Sequence, residues 1–227
     1  MRRLALFDLD HTLLPIDSDN EWGRFLCRTG RIADPDAFAA RINAFFEQYK
    51  AGRLDPEEHL RFVLSAIANR PAEEIEAWRQ EYVDTVVEPL VTEQALALVR
   101  KHLQAGDLCI IVTATNSFVT TPIAPLFGVS HLLGAEGEQH DGRYTGEPRR
   151  GVTITFQGGK PIRVREWLGE QGLSFDDFDE IWAYSDSHND LPMLEHASHP
   201  VATNPDPSLR QTAQARGWPI IDLFPLG

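Results

Sequence analysis

Paired carboxylates follow the first apolar run of this 227-residue sequence. Asp8 and Asp10, separated by one leucine, come directly after the run Leu4–Phe7. In an open α/β sheet, ligands bind beyond the carboxyl ends of the strands. If Leu4–Phe7 is a strand, both carboxylates lie where such a site would form and could face one ligand. The same short pattern occurs in ordinary loops, so by itself it leaves a purely structural role open.

Two further polar clusters follow apolar runs. Thr113 and Ala114 come after a second run, where a hydroxyl and main-chain N–H groups can hold an anion. Asp186 and Asp190 come after the run Ile181–Tyr184, and two carboxylates beyond a buried strand suit a hard cation with oxygen ligands. Either cluster could instead be a capping loop at the start of a helix.

One lysine precedes a predicted helix, in the sequence Gly158-Gly159-Lys160-Pro161. From there its ammonium group could reach a phosphate as a point charge, although an exposed surface lysine is the ordinary alternative. Motifs of several other enzyme classes are absent from the sequence: it has no HExxH zinc motif, Walker loop, GxGxxG after a strand or GxSxG. These absences exclude zinc-protease, ATPase, dinucleotide-binding and serine-hydrolase functions.

Short apolar runs and helical patterns would position these clusters. Continuous apolar runs of this length, flanked by polar turn residues, are typical of strands buried on both faces of a parallel sheet. From about residue 89 onward, strand and helix alternate, which predicts an α/β fold with a Rossmann-like parallel sheet and right-handed crossovers. The runs are Leu4–Phe7, Leu108–Val112, Ile181–Tyr184 and Pro219–Phe224, and the helical patterns are Thr92–Leu103, Pro161–Gly172 and Ser208–Ala215.

The stretch of residues 17–88 differs from the rest, because it contains helical patterns and no strand-like run. Apolar residues recur at steps of three and four over residues 38–49 and again over residues 75–86. Between these patterns, Asp55-Pro56 is a helix start with an N-cap aspartate and a proline at the first helical position. This stretch is therefore predicted to be entirely helical.

The order of these patterns predicts two parts of the chain. We expect an α/β core formed by residues 1–16 and 89–227, with an inserted all-helical cap formed by residues 17–88. Within the core, residues 136–157 contain a turn and short β-like segments, the last of them Val152–Phe156. They predict a small antiparallel excursion before the next helix.

The order of the polar clusters resembles that of the haloacid dehalogenase superfamily. Asp-x-Asp-x-Thr follows a strand, a threonine follows a second strand, a lysine precedes a helix, and Asp-x-x-x-Asp follows a third strand. The helical insertion comes after the first motif, and the resemblance spans nearly the whole chain. The cap position and the sequence SDSHNDLPML, which begins at Ser185, are most similar to the phosphoserine-phosphatase-like branch.

The resemblance implies a phosphatase mechanism that depends on magnesium. Asp8 matches the nucleophile that forms an aspartyl-phosphate, and Asp10 matches the general acid that later serves as the base. Mg²⁺ would be held by the Asp8 carboxylate, the Asp10 main-chain carbonyl and Asp186, with waters and a phosphate oxygen as the other ligands. The expected product is inorganic phosphate, released from a small phosphorylated metabolite.

The remaining motif residues are implied to bind the phosphate or to support those that do. Thr113 and the Ala114 amide would hold phosphate oxygens, and Lys160 would offset the charge on the transferring group. Asn189 would add a donor to the phosphate. Asp190 would orient Lys160 or a metal-bound water.

Departures from the phosphoserine-phosphatase pattern concern the substrate. Thr113-Ala114-Thr115 replaces the usual Ser-Gly-Gly, which narrows the space near the phosphate. Asp17 falls where those phosphatases commonly carry a glutamate that meets the substrate ammonium, and a shorter acid leaves room for a different or larger amine. Because related bacterial proteins are often described as histidinol-phosphatases, our first hypothesis is L-histidinol phosphate, with its amine on Asp17. Phosphoserine and other small amino compounds are the alternatives.

Two other functions remain open on the same scaffold. Phosphoryl transfer to an acceptor other than water, as in a mutase, would need an acceptor pocket under the cap. A catalytically silent binding protein is disfavoured, because a silent member has no need to keep all four motif residues. Aromatic residues of the cap could stack on a substrate ring or form the core of the cap itself; they are Trp22, Phe25, Phe45, Phe46 and Tyr49.

Charge and composition limit the partners. The 21 basic and 34 acidic residues give a net charge of −13, which argues against nucleic acid or an anionic membrane as partner, since both require clustered basic residues. No apolar run approaches the roughly 18 residues of a membrane-spanning helix. Two cysteines make no disulfide framework, and the first apolar run is too short for a signal peptide, so we expect a cytoplasmic location. The oligomeric state is not predicted.

Overall fold

Six parallel strands form the central sheet in the computed structural model, which describes residues 2–224. Eight strands lie within the described residues: β1 (Arg3–Phe7), β2 (Leu108–Asn116), β3 (His131–Ala135), β4 (Gly137–His140), β5 (Arg143–Pro148), β6 (Glu180–Ser185), β7 (His199–Thr203) and β8 (Ile220–Ile221). The sheet has the order β3-β2-β1-β6-β7-β8, and β4 and β5 form a separate antiparallel pair. The predicted α/β fold with a Rossmann-like parallel sheet is confirmed.

Nine α-helices within the described residues connect and flank these strands. They are α1 (Ser18–Arg28), α2 (Pro35–Lys50), α3 (Pro56–Ser65), α4 (Ala72–Tyr82), α5 (Glu93–Gln104), α6 (Ser117–Thr120), α7 (Gly159–Glu170), α8 (Leu191–Leu194) and α9 (Pro207–Arg216). A π-helical turn (Val83–Val87) and a 3₁₀ turn (Glu88–Leu90) follow α4. No helix within residues 2–224 is long and apolar enough to cross a membrane.

Local sequence signals explain where the helices begin and end. The Asp55 side chain accepts hydrogen bonds from two first-turn N–H groups of α3, at 3.0 and 3.1 Å. Thr92 caps α5 in the same way, through a 3.2 Å hydrogen bond from Ala95. Gly217 ends α9 in the left-handed conformation, with φ of 69°. The side chains of Asp55 and Thr92 thus satisfy N–H groups that a helix cannot pair within itself.

The central strand β1 is buried on both faces, so its side chains enter two separate apolar clusters. Leu4 and Leu6 pack into the cluster beneath α7, α8 and α9, while Ala5 and Phe7 pack into the other cluster. This alternation follows from the two-residue period of a strand. It explains why the sequence of β1 is continuously apolar and then changes abruptly to carboxylates.

The stretch 17–88 contains α1 to α4 and no strand. Its side chains join the same apolar cluster that covers one face of the sheet: Trp22, Phe25 and Leu60 belong to the cluster that contains Phe7. The cap and the sheet therefore share buried apolar surface. The division into a core of residues 1–16 and 89–227 and a cap of residues 17–88 remains a proposal, and we keep the two names for these ranges. Residues 1 and 225–227 of the core range lie outside the described residues.

The predicted set of strands was incomplete: two strands were missed, and one is shorter than its predicted run. The strands β3 and β7 were not predicted, because Gly134 and Pro200 leave each with only a short apolar run. Of the predicted run Pro219–Phe224, only Ile220–Ile221 is a strand, paired with the end of β7.

The antiparallel excursion is confirmed for its first part only. Asp141 and Gly142 form the turn between β4 and β5, with positive φ angles of 49° and 74°. The prediction of a strand at Val152–Phe156 was wrong, since this segment has no strand pairing. Instead, the buried Thr155 hydroxyl donates a 2.6 Å hydrogen bond to the main-chain oxygen of Thr113, which attaches the segment to the end of β2.

Candidate active site

The predicted site lies where the strand order reverses. The chain moves outward from β1 through β2 to β3, and later returns to the other side of β1 through β6. The carboxyl ends of the two strands that flank such a switch point open a crevice in which ligands bind. Asp8 follows β1, Thr113 lies near the end of β2, and Asp186 follows β6. The topology thus brings three separate sequence motifs to one edge of the sheet.

Lys160 joins two of the predicted carboxylates. Its Nζ donates to Asp8 Oδ1 at 2.7 Å and to Asp190 Oδ2 at 2.6 Å, and all three side chains are almost completely buried. Burial alone would lower the pKa of Lys160, but the carboxylates of Asp190 and Asp8 raise it above its ordinary value. The lysine is therefore a permanent buried cation between two acids, and the surface alternative is excluded.

A glycine allows Lys160 to reach this position. A Cβ atom on Gly159 would lie 1.9 Å from the main-chain oxygen of Ile154, a distance that no side chain tolerates. Gly159 is the first residue of α7, and Lys160 is the second. The close approach of the preceding segment therefore requires glycine at the helix start, and it directs α7 toward the sheet edge.

Thr12, the last residue of the first motif, lies between two carboxylates. Its hydroxyl is within hydrogen-bond distance of Asp8 Oδ2 (3.1 Å) and Asp186 Oδ1 (3.3 Å), and it accepts from the Asp186 main-chain N–H at 3.0 Å. Burial, together with the nearby charges of Asp8 and Asp190, raises the pKa of Asp186 well above its ordinary value. A cation between Asp8 and Asp186 would relieve that repulsion.

The donor set at this position suits a magnesium ion. Two converging carboxylates and a main-chain carbonyl are hard oxygen ligands, the kind that Mg²⁺ prefers alongside water and substrate phosphate. No group of three or more His, Cys, Asp or Glu side chains is placed to hold a metal within residues 2–224. The predicted set of Asp8, the Asp10 carbonyl and Asp186 uses only two such side chains, and it remains a proposal.

Asp10 is half-buried, and only one of its two carboxylate oxygens has a hydrogen-bond partner among the described residues. Its Oδ2 accepts a 2.7 Å hydrogen bond from the Thr115 hydroxyl, while its Oδ1 is buried without a partner among the described residues. Burial, followed by the nearby Asp17 carboxylate, raises the pKa of Asp10 to about 7. A carboxyl group with a pKa near neutrality can both give and take a proton.

The backbone between Asp10 and Thr12 is held from a neighbouring strand. His11 has a positive φ of 56°, which is unfavourable for a side chain with a Cβ atom. Asn204, just after β7, donates from its side chain to the main-chain oxygens of His11 (2.9 Å) and Thr12 (3.2 Å). This contact stabilises the bend that turns Asp10 away from the strand direction.

The predicted phosphate-binding residues surround the same cavity. Thr113 is buried, and its hydroxyl accepts from the Thr115 main-chain N–H at 3.2 Å. Ala114 and Asn189 line the cavity as well, and the Asn189 side-chain oxygen accepts from Gln157 at 3.0 Å. The Asn189 side-chain amide nitrogen has no hydrogen-bond partner among residues 2–224, so it can donate to a ligand. The geometry agrees with the predicted roles, which remain proposals.

The cavity has a polar floor and a cap wall. The floor consists of the motif residues at the sheet edge, and the wall comes from α1, α2 and α3. Of the five cap aromatics, Trp22 and Phe25 are buried in the shared apolar cluster, whereas Phe45, Phe46 and Tyr49 line the cavity. Trp22 and Phe25 therefore belong to the core, and stacking of Phe45, Phe46 or Tyr49 on a substrate ring remains a proposal.

Carboxylates are also present on the cap wall. Asp17 caps α1 by accepting from the Asn20 N–H at 2.8 Å, and it lines the cavity. Asp19 is buried, accepts from Asn116 at 2.7 Å, and has its other oxygen 3.7 Å from His59 Nε2. Burial, together with the Asp17 and Asp10 charges, raises the pKa of Asp19 well above its ordinary value.

Sequence reasoning missed several residues that complete the site. Thr115 and Ser185 hold Asp10 and Asp190, and Asp19 adds a second cap carboxylate. Tyr49 was considered only for ring stacking or cap packing, and its contact with Ser187 was not predicted. Thr115 and Ser185 lie inside the quoted motifs, so proximity to a motif carboxylate could have singled them out. Asp19 and Tyr49 carry no such signal, because helix periodicity alone does not show that their side chains meet the site.

The fold and the site define an α/β enzyme whose buried carboxylates and lysine lie at the switch point of a parallel sheet. A sequence profile of the haloacid dehalogenase-like hydrolases matches residues 5–195. The chain therefore belongs to this family of hydrolases.

Individual relatives agree with this assignment. The chain is 36% identical over 223 residues to a histidinol-phosphatase of Neisseria meningitidis serogroup C (strain 8013), which covers 98% of this chain and 99% of the relative. It is 52% identical to a solved structure of a Bordetella pertussis Tohama I protein of unknown function, with a TM-score of 0.93 and coverage of 99% and 100%.

A more distant solved structure shares the fold. It is a substrate-bound phosphoserine phosphatase, with 19% identity, a TM-score of 0.68 and coverage of 99% of this chain and 94% of that one. The predicted family is confirmed, and the phosphatase-named relatives support a phosphomonoester hydrolase.

Proposed function

We propose that this protein is a magnesium-dependent phosphomonoesterase that acts through an aspartyl-phosphate on Asp8, with L-histidinol phosphate as its substrate. The observation that carries the proposal is the buried contact of Lys160 with both Asp8 and Asp190, at 2.7 and 2.6 Å, beside the paired carboxylates of Asp8 and Asp186. A cation that cannot lose its proton, next to a converging pair of acids, suits the transfer of a dianionic phosphoryl group.

In the first step, an Asp8 carboxylate oxygen attacks phosphorus and the ester P–O bond breaks. Asp10 donates its proton to the departing alkoxide, so the alcohol leaves neutral. In the second step, a water attacks the aspartyl-phosphate while Asp10, now a carboxylate, takes its proton. Inorganic phosphate leaves, and both aspartates return to their starting states.

The environment of Asp10 supports this dual role. Its pKa of about 7 keeps a substantial protonated fraction for the first step and a usable base for the second. The Thr115 hydroxyl fixes one of its oxygens and leaves the other, Oδ1, without a partner among the described residues. That oxygen is the one available to the leaving group and then to water.

Magnesium would be held by the Asp8 and Asp186 carboxylates and the Asp10 main-chain carbonyl. When bound, it supplies positive charge that offsets the repulsion between these acids and the substrate phosphate. Thr113, the Ala114 amide, Lys160 and Asn189 would bind the phosphate oxygens in the same crevice. Asp190 keeps Lys160 in place.

The cap wall supports an amine-bearing substrate with a ring. Asp17 and Asp19 place carboxylates on one side of the cavity, and among residues 2–224 no Lys or Arg forms an ion pair with either. Phe45, Phe46 and Tyr49 form an aromatic side. L-histidinol phosphate carries an ammonium group and an imidazole, which match these two sides. The 36% identical relative that is named histidinol-phosphatase favours the same substrate. A cytoplasmic location is part of this proposal.

The test is steady-state hydrolysis of p-nitrophenyl phosphate, O-phosphoserine and L-histidinol phosphate, each with magnesium and with EDTA. We expect activity that requires magnesium and a kcat/KM for L-histidinol phosphate about 10- to 100-fold above that for p-nitrophenyl phosphate, since charge-assisted contacts to the amine add about 1.5–3 kcal/mol. Equal kcat/KM values for all three esters would refute the substrate. Activity that is unchanged in EDTA would refute the metal.

A further inference from the structure

Cap helix α2 reaches the loop that follows β6. The hydroxyl of Tyr49, next to the last residue of α2, donates to Ser187 Oγ at 3.0 Å across 138 positions of sequence. Ser187 is 5% exposed and lies directly after Asp186. The ring of Tyr49 also packs against Phe156 of the core, with centroids 6.0 Å apart. A cap side chain is therefore anchored on the core, next to a residue proposed to hold the metal.

Ser187 is itself hydrogen-bonded into the site, through its main-chain N–H. The Ser187 main-chain N–H donates to Ser185 Oγ at 3.2 Å, and the Ser185 hydroxyl donates to Asp190 Oδ2 at 2.7 Å. Asp190 accepts from Lys160, which also contacts Asp8. The contacts of Ser187, Ser185 and Asp190 therefore connect the cap tyrosine to the lysine that holds the nucleophile.

The same serine orders a second residue of the site. Ser187 Oγ accepts from the Asn189 main-chain N–H at 3.2 Å, which begins the 3₁₀ turn His188–Asp190. Asn189 is one of the proposed phosphate donors. The Tyr49 hydroxyl thus donates to Ser187 Oγ, the same atom that fixes the turn between Asp186 and Asp190.

We propose that Tyr49 is a positioning residue: its contact with Ser187 couples the closed position of the cap to the order of the loop 186–190. With the cap in place, the contact of Tyr49 with Ser187 holds the loop, and Lys160 and Asn189 are positioned to bind the phosphate. With the cap displaced, the loop loses this support. The inference rests on the proposed hydrolysis, because the loop matters for the reaction only if phosphate binds there.

The experiment compares Tyr49→Phe, Ser187→Ala and the double variant in a double-mutant cycle. Tyr49→Phe removes one hydroxyl and keeps the ring. We expect Tyr49→Phe to lower kcat/KM about tenfold through kcat rather than KM. Ser187→Ala should lower it at least as much, because it also removes the acceptor of the Asn189 N–H. The double variant should fall little below Ser187→Ala, because the contact with Tyr49 is already lost there. Independent effects that multiply to about a hundredfold would overturn the proposal.

A second measurement separates the inference from the proposed function. Amide hydrogen exchange without substrate should be faster in the loop 186–190 of Tyr49→Phe than in the wild type. Unchanged exchange there would overturn the coupling, even if all variants fold and hydrolyse esters. If the wild type hydrolyses no phosphate ester, the proposed function fails, and the exchange comparison still decides whether Tyr49 orders the loop.

A matched control is Tyr144→Phe. Tyr144 is a half-buried tyrosine of β5 that contacts Phe118 edge-on and has no part in the contacts that connect Tyr49 to Lys160. Its loss of a hydroxyl should leave kcat/KM within about twofold of the wild type, and loop exchange should be unchanged. If Tyr144→Phe reproduced both effects of Tyr49→Phe, the effects would be general consequences of losing a hydroxyl, and the proposal would fail.

Discussion

The floor and the cap wall of the cavity are both rich in carboxylates, but they satisfy them differently. On the floor, Lys160 donates to two acids and Thr12 lies between two. On the cap wall, Asp17 and Asp19 have hydrogen-bond donors but no Lys or Arg in an ion pair among residues 2–224. The floor carries its own cation, whereas the cap wall has acids that a cationic ligand would complete.

This difference indicates that the floor and the cap wall have different roles in the reaction. Groups that are already paired and buried are held in one geometry, which favours a step that must be the same for every substrate. Carboxylates without a counter-charge in a buried wall are costly by themselves, and that cost falls when a substrate ammonium arrives. We infer that the floor supplies the chemistry and the cap wall supplies the selection.

The largest effect is expected from Asp8→Asn on the floor. The amide keeps the shape of the side chain but is a poor nucleophile, so kcat should fall by at least ~10³-fold for every ester. The measurement is p-nitrophenyl phosphate turnover, with circular dichroism to confirm that the variant is folded. A variant that kept full activity would show that the nucleophile lies elsewhere and would remove the basis of the comparison.

A second effect concerns the buried lysine. Lys160→Met leaves Asp8 and Asp190 close together without their cation, so we expect a loss of about 3–5 kcal/mol in the free energy of unfolding and a loss of activity. Adding Asp190→Asn should recover part of the stability but none of the activity. Urea unfolding and turnover of both variants provide the readouts. A Lys160→Met protein as stable as the wild type would contradict the claim that Lys160 stabilises the buried carboxylates of the floor.

The cap wall is tested by Asp19→Asn. This change removes the charge and keeps the shape, so we expect kcat/KM for L-histidinol phosphate to fall about tenfold, the size of one charge-assisted contact. The value for p-nitrophenyl phosphate, which has no amine, should change by less than about twofold. An equal loss with both esters would mean that Asp19 acts only through its hydrogen bond with Asn116.

The last expected effect, small per pH unit, is a dependence of stability on pH in the metal-free protein. Because the folded pKa of Asp10 is about 7, above the ordinary value of 3.8, the folded protein retains a proton that the unfolded chain releases. The free energy of unfolding should therefore fall as the pH rises through this window, with at most about 1.4 kcal/mol per pH unit from this group. Urea unfolding in EDTA at several pH values measures it. Asp10→Asn should give a shallower slope; an identical slope would exclude Asp10 as its source.

The sequence predicted the parts of the fold that depend on local chemistry. The continuous apolar runs before Asp8 and Asp186 indicated strands buried on both faces, and Asp55-Pro56 and Thr92 indicated helix starts. These signals are reliable because burial and capping act within a few residues of chain. They failed at β7, where Pro200 interrupts a short apolar run that pairs as a strand with β6 and β8.

Contacts between residues that are far apart in the chain could not be predicted from the sequence. Nothing near Thr155 indicates that its hydroxyl caps the end of β2, and nothing near Tyr49 indicates that it meets Ser187. Such contacts depend on how elements pack, and the residues involved are common in ordinary helices and loops. For the same reason, the paired state of Lys160 was an expectation based on resemblance rather than on spacing.

By itself, the sequence determined that a parallel sheet would carry carboxylates at the ends of its strands, because an apolar run followed by acids fixes that local arrangement. Only the tertiary structure decided which acids share a cation and which do not. Asp8 and Asp190 are separated by most of the chain, yet α7 brings Lys160 between them. Asp10, Asp17 and Asp19 are close in sequence and meet no such cation among the described residues. Electrostatic pairing acts over a few ångströms in space, whatever the distance along the chain.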